Sequence, residues 1–211
     1  MTRRAAALKH FRRTDPQFYA ATLPHHATLP EKLPLKRTRK ELFRSLVAIV
    51  ISQQLGTAAA DTIFVRVNEV AGDLTPLSLL RISPERLRTA GLSGAKIKTL
   101  KAIAEGIEEG SLDLLALKKI PEAEATTRLT KIWGLGPWSV EMFLMFALGR
   151  EDVFSPGDLG LMRSMESLYG LAKNAPHASL LAIAERWAPY RTYAALLLWR
   201  IRDTKVDSGT R

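Results

Sequence analysis

Cysteine is absent from all 211 residues. That excludes disulfides, thiolate nucleophiles, cysteine-ligated zinc and a four-cysteine iron–sulfur cluster. Histidine is scarce, and His10, His25, His26 and His177 include no HExxH or similar pair, so no structural metal site is expected. No apolar run approaches the roughly 20 residues that span a bilayer. The N-terminal MTRRAAALKHFRRTD lacks the long apolar core of a secretory signal. A period-2 strand pattern is missing as well, as are repeats and low-complexity tracts. These absences imply an all-α, soluble, intracellular protein with no membrane partner.

Acid is in short supply. Against 31 Lys and Arg stand 21 Asp and Glu, a formal charge of +10, which favours a polyanionic partner. Residues 1–40 hold ten of the bases against Asp15 and Glu31 alone. Most of the imbalance therefore sits in the N-terminal fifth, where a merely solvated basic face would look the same. Charge supports nucleic acid without locating its site.

What is present reads as helix nearly throughout. Asp15-Pro16 is an N-cap followed by proline at the first helical position. Three prolines between Leu23 and Pro34 imply an extended connection. Thr38-Arg-Lys-Glu41 is a capping box, after which Leu42, Leu46, Ile49 and Phe43, Val47, Val50 recur at helical spacing. Further helices are expected after Gly56, from Ser83-Pro84 to Gly91, from Ser93-Gly94 onward, from Pro121 and from Pro137. The last follow Asp158, then cover about 180–187 and 190–202.

The stretch Lys131–Leu161 (KIWGLGPWSVEMFLMFALGREDVFSPGDLGL) carries the chemistry. Gly134-Leu-Gly136-Pro137 is a tight turn between two helical runs, and two glycines let the backbone approach a partner closely. The helix that begins there offers unpaired N–H groups and a positive dipole end to phosphate. Beyond it Phe154-Ser-Pro-Gly-Asp158 holds one carboxylate at a rigid bend. Each feature has a plain alternative: an inter-helix turn, a helix N-cap at Asp158, core packing for Trp138, Trp187 and Trp199, a solvated helix end at Gln53-Gln54.

Together they resemble the helix-hairpin-helix DNA glycosylase superfamily, and most closely its alkylation-repair branch, the 3-methyladenine DNA glycosylase II type in a short all-helical form. The hairpin, the 22-residue step from Gly136 to Asp158 and the Phe-x-Pro-x-Asp-Leu-Gly-Leu ending carry the likeness. Three further segments agree: Ile49–Ala60 (IVISQQLGTAAA), Gly91–Ala104 (GLSGAKIKTLKAIA) and Trp187–Trp199 (WAPYRTYAALLLW).

The resemblance implies two helical lobes around a DNA-binding cleft, about 38–130 and 1–37 plus 131–211, with the chain acting as a monomer on double-stranded DNA that contains alkylated bases. It implies extrusion of the damaged nucleotide and cleavage of its N-glycosidic bond. Gln54, assisted by Leu55, would wedge into the gap left by the base. Asp158 takes the family's catalytic carboxylate position. Gly134, Leu135, Gly136, Pro137 and Trp138 would grip the DNA backbone, and Trp138 and Trp199 would line the base pocket. No cofactor is required. A structural sodium or potassium ion on the carbonyls of Thr130, Ile132 and Leu135 is a further expectation.

Bifunctional relatives place a Schiff-base lysine two residues after the second hairpin glycine. Trp138 stands there instead, which implies hydrolysis by water and an abasic product. The alternative is a non-catalytic binder of damaged or distorted duplex on the same scaffold, for which the acid would be unnecessary.

Overall fold

A computed structural model describes residues 1–207 and shows helices joined by short turns. In chain order they are α1 (Arg3–Thr14), α2 (Pro16–Thr22), α3 (Arg39–Ser52), α4 (Thr57–Ala71), α5 (Pro76–Arg81), α6 (Pro84–Thr89), α7 (Gly94–Glu108), α8 (Glu122–Thr130), α9 (Pro137–Phe146), α10 (Leu159–Tyr169), α11 (His177–Ala184) and α12 (Arg191–Asp207). No strand occurs among the described residues. No helix among them is long and apolar enough to cross a membrane.

Local chemistry explains most of the helix starts. Thr38 and Glu41 form the reciprocal capping box, with Glu41 N–H donating to Thr38 Oγ1 at 3.1 Å and Thr38 N–H to Glu41 Oε2 at 2.9 Å. Prolines open α2, α5, α6 and α9, where the missing N–H costs nothing. Asp15, Ser83, Ser93 and Asp158 each accept a bond from the first turn that follows them.

The chain divides into two units. One is Leu35–Leu148; the other joins residues 1–34 to the chain from Gly149 onward. The expected lobes, about 38–130 and 1–37 plus 131–211, put the hairpin and α9 with the chain termini. In the structure α9 belongs to the Leu35–Leu148 unit, because it packs on both α3 and α8. Val140, Met142, Phe143, Leu144 and Met145 of α9 are all buried, so this helix forms a central column of its unit.

Helix α5, which has no marked apolar period, is fastened from outside its own sequence. Lys101 Nζ on α7 donates to the carbonyls of Leu79, Leu80 and Ile82 at 2.8–2.9 Å, satisfying the C-terminal end of α5.

Two features of the other unit go beyond the sequence reading. The basic N-terminus is helix α1, pinned by buried Ala7 and Phe11. The proline-marked connection begins as a 3-10 turn over Leu23–Thr28 before it becomes extended. The core of this unit is aromatic. Phe11 meets Phe18 edge-on at 5.3 Å, and Phe18 lies 4.7 Å from the fully buried Trp187.

Asp15 does more than cap α2. It is 3% exposed. Its Oδ1 accepts from Phe18 N–H at 3.0 Å, and its Oδ2 from Tyr169 Oη at 2.6 Å and Trp187 Nε1 at 3.2 Å. Burial first, and then the bond to Asp15, push the Tyr169 phenol far above its ordinary pKa, so it remains a donor. Asp15→Asn keeps the shape but turns a donor group toward two donors. Denaturant unfolding is expected to show a loss of about 1–3 kcal/mol. An unchanged midpoint would mean that the network contributes nothing.

Candidate nucleic-acid interface and acid site

The hairpin lies between α8 and α9. Lys131 caps the end of α8, Ile132 N–H bonds the Leu129 carbonyl, and Leu135 N–H bonds the Ile132 carbonyl at 3.1 Å, closing the turn. Gly134 has φ +86°, a left-handed backbone that favours glycine. It lies so close to α7 that a Cβ there would fall on the buried Thr99 hydroxyl. Gly136 differs. Its φ is −85° and nothing lies within 4 Å of where a Cβ would stand, so its outer side is open. Pro137 then starts α9, whose first turn receives no side-chain cap. A helix start without a side-chain cap is of the kind that binds anions.

Beside the turn, Trp133 is half exposed, with Lys98 Nζ 4.2 Å from its ring centroid. Neither residue was singled out from sequence. Trp138 is half-buried at the second position of α9.

The wedge loop follows α3 in the same unit. Gln53 closes the helix and Gln54 has φ +57°. A left-handed conformation costs an ordinary residue about 1–2 kcal/mol. Gln54 and Leu55 are both exposed. Leu55 N–H returns to the Ser52 carbonyl at 3.1 Å, so the loop is a tight turn. Lys96 Nζ donates to the Ile51 carbonyl at 2.8 Å, and burial lowers its pKa. This gives part of the Gly91–Ala104 segment a physical reading: Ser93 caps α7 and Lys96 holds the end of α3.

In the other unit, Asp158 stands at the N-cap of α10. Its Oδ1 accepts from Leu161 N–H at 2.9 Å and from Trp199 Nε1 at 2.9 Å. Two donors on one oxygen set the plane of the carboxylate. Phe154 packs edge-on against Trp187 at 5.7 Å, and Ser155 is fully buried, so the segment before the acid is rigid.

Gly160 permits this arrangement. A Cβ there would collide with the Arg202 guanidinium and stand 3.2 Å from Trp199 Cδ1. Arg202 and Gly160 were missed from sequence. The glycine of the Asp-Leu-Gly ending is the one local signal that α12 comes close.

The site residues thus form two groups. Gln54, Leu55, Gly134, Leu135, Gly136, Pro137 and Trp138 lie in the Leu35–Leu148 unit, with Thr130 and Ile132. Asp158 and Trp199 lie in the other unit and are directly bonded. Among the described residues no three His, Cys, Asp or Glu side chains cluster so as to hold a metal ion.

A family model described as HhH-GPD superfamily base excision DNA repair protein matches residues 47–189. DNA-3-methyladenine glycosylase 1 of Schizosaccharomyces pombe is 36% identical over 166 residues, spanning 77% of this chain and 73% of that protein. The solved structure of the S. pombe 3-methyladenine DNA glycosylase in complex with abasic DNA superimposes with a TM-score of 0.82. It is 32% identical and covers 92% of this chain and 95% of that one. The crystal structure of a DNA-3-methyladenine glycosidase from Bacillus halodurans gives a TM-score of 0.78 at 35% identity, covering 98% and 94%.

Proposed function

Because the chain belongs to the HhH-GPD superfamily of base excision DNA repair proteins, we propose that it is a 3-methyladenine-type DNA glycosylase. It acts as a monomer inside the cell, extrudes alkylated purines such as 3-methyladenine and 7-methylguanine from duplex DNA, and hydrolyses their N-glycosidic bonds. The product is an abasic site. The observation that carries this reading is the single carboxylate of Asp158, held by a backbone N–H and the Trp199 indole at the start of α10.

As the base departs, positive charge develops on the sugar, as in other glycoside hydrolyses. A carboxylate already fixed in position stabilises that charge and orients or deprotonates the attacking water. The alkylated purines proposed as substrates are cationic, with glycosidic bonds already weakened. Electron-rich tryptophan faces at Trp138 and Trp199 suit them through cation–π attraction. Trp138 in place of a lysine leaves no amine there for Schiff-base chemistry, which supports release by water alone.

The hairpin would hold backbone phosphate through the amides near Gly134, Gly136 and Trp138, positioning the duplex without reading its sequence. A sodium or potassium ion would be held by the carbonyls of Thr130, Ile132 and Leu135. Thr130 closes α8, where helix carbonyls run out of intrahelical partners. Ile132 keeps a second lone pair beyond its bond from Leu135 N–H. Such an ion would supply positive charge toward phosphate.

The test is incubation of methylated duplex DNA with the protein and identification of the released bases. Free 3-methyladenine without strand scission is the expected result. Strand cleavage without alkali would overturn the monofunctional reading, and tight binding without release would favour the non-catalytic one.

Gln54→Gly separates the wedge's function from its structural cost. Glycine accepts φ +57° freely but is floppier when unfolded, so stability should stay within about 1 kcal/mol of the parent or rise slightly. Excision should nonetheless fall about tenfold or more as the gap-filling side chain disappears. Melting curves read beside single-turnover rates check this, and an unchanged rate would remove Gln54 from the wedge role.

A further inference from the structure

Gln53, the residue before the wedge, has no part in the reading above, yet it joins the wedge loop to the hairpin. Its Nε2 donates to the Gly134 carbonyl at 3.0 Å and to Ser139 Oγ at 2.7 Å. The two acceptors lie on either side of Gly136-Pro137, so one amide spans the turn. Ser139 is 2% exposed, inside the first turn of α9. Gln53 itself stands where α3 ends, at φ −51° and ψ 124°, and the next residue is the left-handed Gln54.

Two other contacts complete a closed set. Lys96 on α7 holds the Ile51 carbonyl at the end of α3. Thr99, one turn further along α7, lies against Gly134. Hence α3 is tied to α7, α7 to the hairpin, and the hairpin back to α3 through Gln53. All of these residues belong to one unit.

We propose that Gln53 is a positioning residue, which sets the Gln54–Leu55 wedge at a fixed place relative to the hairpin. Insertion of the wedge and the grip on the backbone then occur as one preorganised event. The proposal rests on the reading of hairpin and wedge as DNA contacts. A wedge can open a base pair only if it pushes against a part of the protein held still on the same duplex. A loop that had to be ordered during binding would spend interaction energy on its own ordering. The bond also has a direction: Gln53 must donate, because the Gly134 carbonyl can only accept. Glutamate has the same size and cannot replace it.

The experiment uses the full chain with Gln53→Ala, Gln53→Glu and Ser139→Ala. Single-turnover release of 7-methylguanine is measured with the lesion opposite cytosine and opposite thymine, and melting temperatures are recorded for each variant. A stable pair makes the wedge necessary, whereas a mispaired base leaves the stack more easily. Gln53→Ala and Gln53→Glu are expected to slow release opposite cytosine about tenfold, the scale of losing one geometric restraint, and opposite thymine no more than about threefold. Ser139→Ala, which spares the Gly134 bond, should show the same pattern more weakly. Equal losses opposite both bases, no loss, or losses that merely follow melting temperature would overturn the proposal.

A parent protein that releases no methylated base would sink the proposed activity by itself. The coupling is then read from a duplex carrying a tetrahydrofuran abasic analogue beside 2-aminopurine. A smaller fluorescence rise at saturating Gln53→Ala supports it, and an unchanged rise overturns it.

Discussion

Asp158→Asn should fold, bind duplex DNA and release methylated base at about a thousandth of the parent rate or less, the effect of removing one preorganised electrostatic group and a water-orienting base together. The substitution is chosen for what it preserves. The bonds from Leu161 N–H and Trp199 Nε1 to Asp158 fall on the same atom, Oδ1. An asparagine carbonyl can accept both, so the α10 cap and the indole contact survive. Asparagine is also among the favoured N-cap residues. What disappears is the negative charge that the proposed mechanism places beside the sugar.

Asp158→Ala is the less clean experiment. It removes the cap as well, at a cost of about 1 kcal/mol of stability. The measurement is single-turnover release from methylated duplex, with binding to an abasic-analogue duplex as the control. An asparagine variant of near-parental rate would sink the assignment of Asp158 and return it to a helix cap.

Gly134→Ala should damage both fold and DNA binding. At φ +86° an L side chain costs about 1–2 kcal/mol, and crowding a packed interior adds about 1–3 kcal/mol. The crowding is specific. The new methyl would overlap Thr99 Oγ1 and stand 2.9 Å from Thr99 Cβ and 3.0 Å from its Cγ2. Thr99 cannot easily retreat, because it is 2% exposed on α7 between the buried Ile97 and Leu100.

A combined loss of about 2–5 kcal/mol in denaturant unfolding is therefore expected, with affinity for abasic-analogue duplex lowered more than about tenfold as the hairpin shifts. Adding Thr99→Ala removes the overlap with Oγ1 and Cγ2 but keeps the 2.9 Å approach to Cβ, so it should return only part of the crowding share and none of the backbone share. Gly136→Ala is the internal control: its φ is −85° and no atom lies within 4 Å, so the fold should tolerate it. If Gly134→Ala melts with the parent protein, the described contact between hairpin and α7 is wrong.

Much of the fold was legible in short-range signals. The Thr38–Glu41 capping box, the prolines that open α2, α6 and α9, and the apolar spacing on α3 each act over a few residues and appear in the structure where expected. The N-terminal helix α1 was not legible, because its basic surface dominates its composition. Its burial depends on Phe11 meeting Phe18, which in turn packs on Trp187, nearly the whole chain away. Helix α5 escaped notice although Pro76 opens it, because it is only six residues long and its closing bonds come from Lys101 on another helix. The division of the chain depended equally on packing, because nothing local in α9 reveals that both α3 and α8 cover it.

The candidate site divides in the same way. By itself the sequence determined the residue types and their order: an all-helical chain without cysteine, a Gly-x-Gly-Pro turn, one acid 22 residues after it, and tryptophan where a Schiff-base lysine would stand. Only the tertiary structure decided that the two hairpin glycines are unlike, one wedged against Thr99 and the other open. Only it gave Asp158 its indole donor from Trp199 and assigned Gln53 to the hairpin. Caps and turns are specified by neighbours within one helical turn. A bond between residues 41 or 81 positions apart exists only after burial of many apolar groups has closed the chain between them.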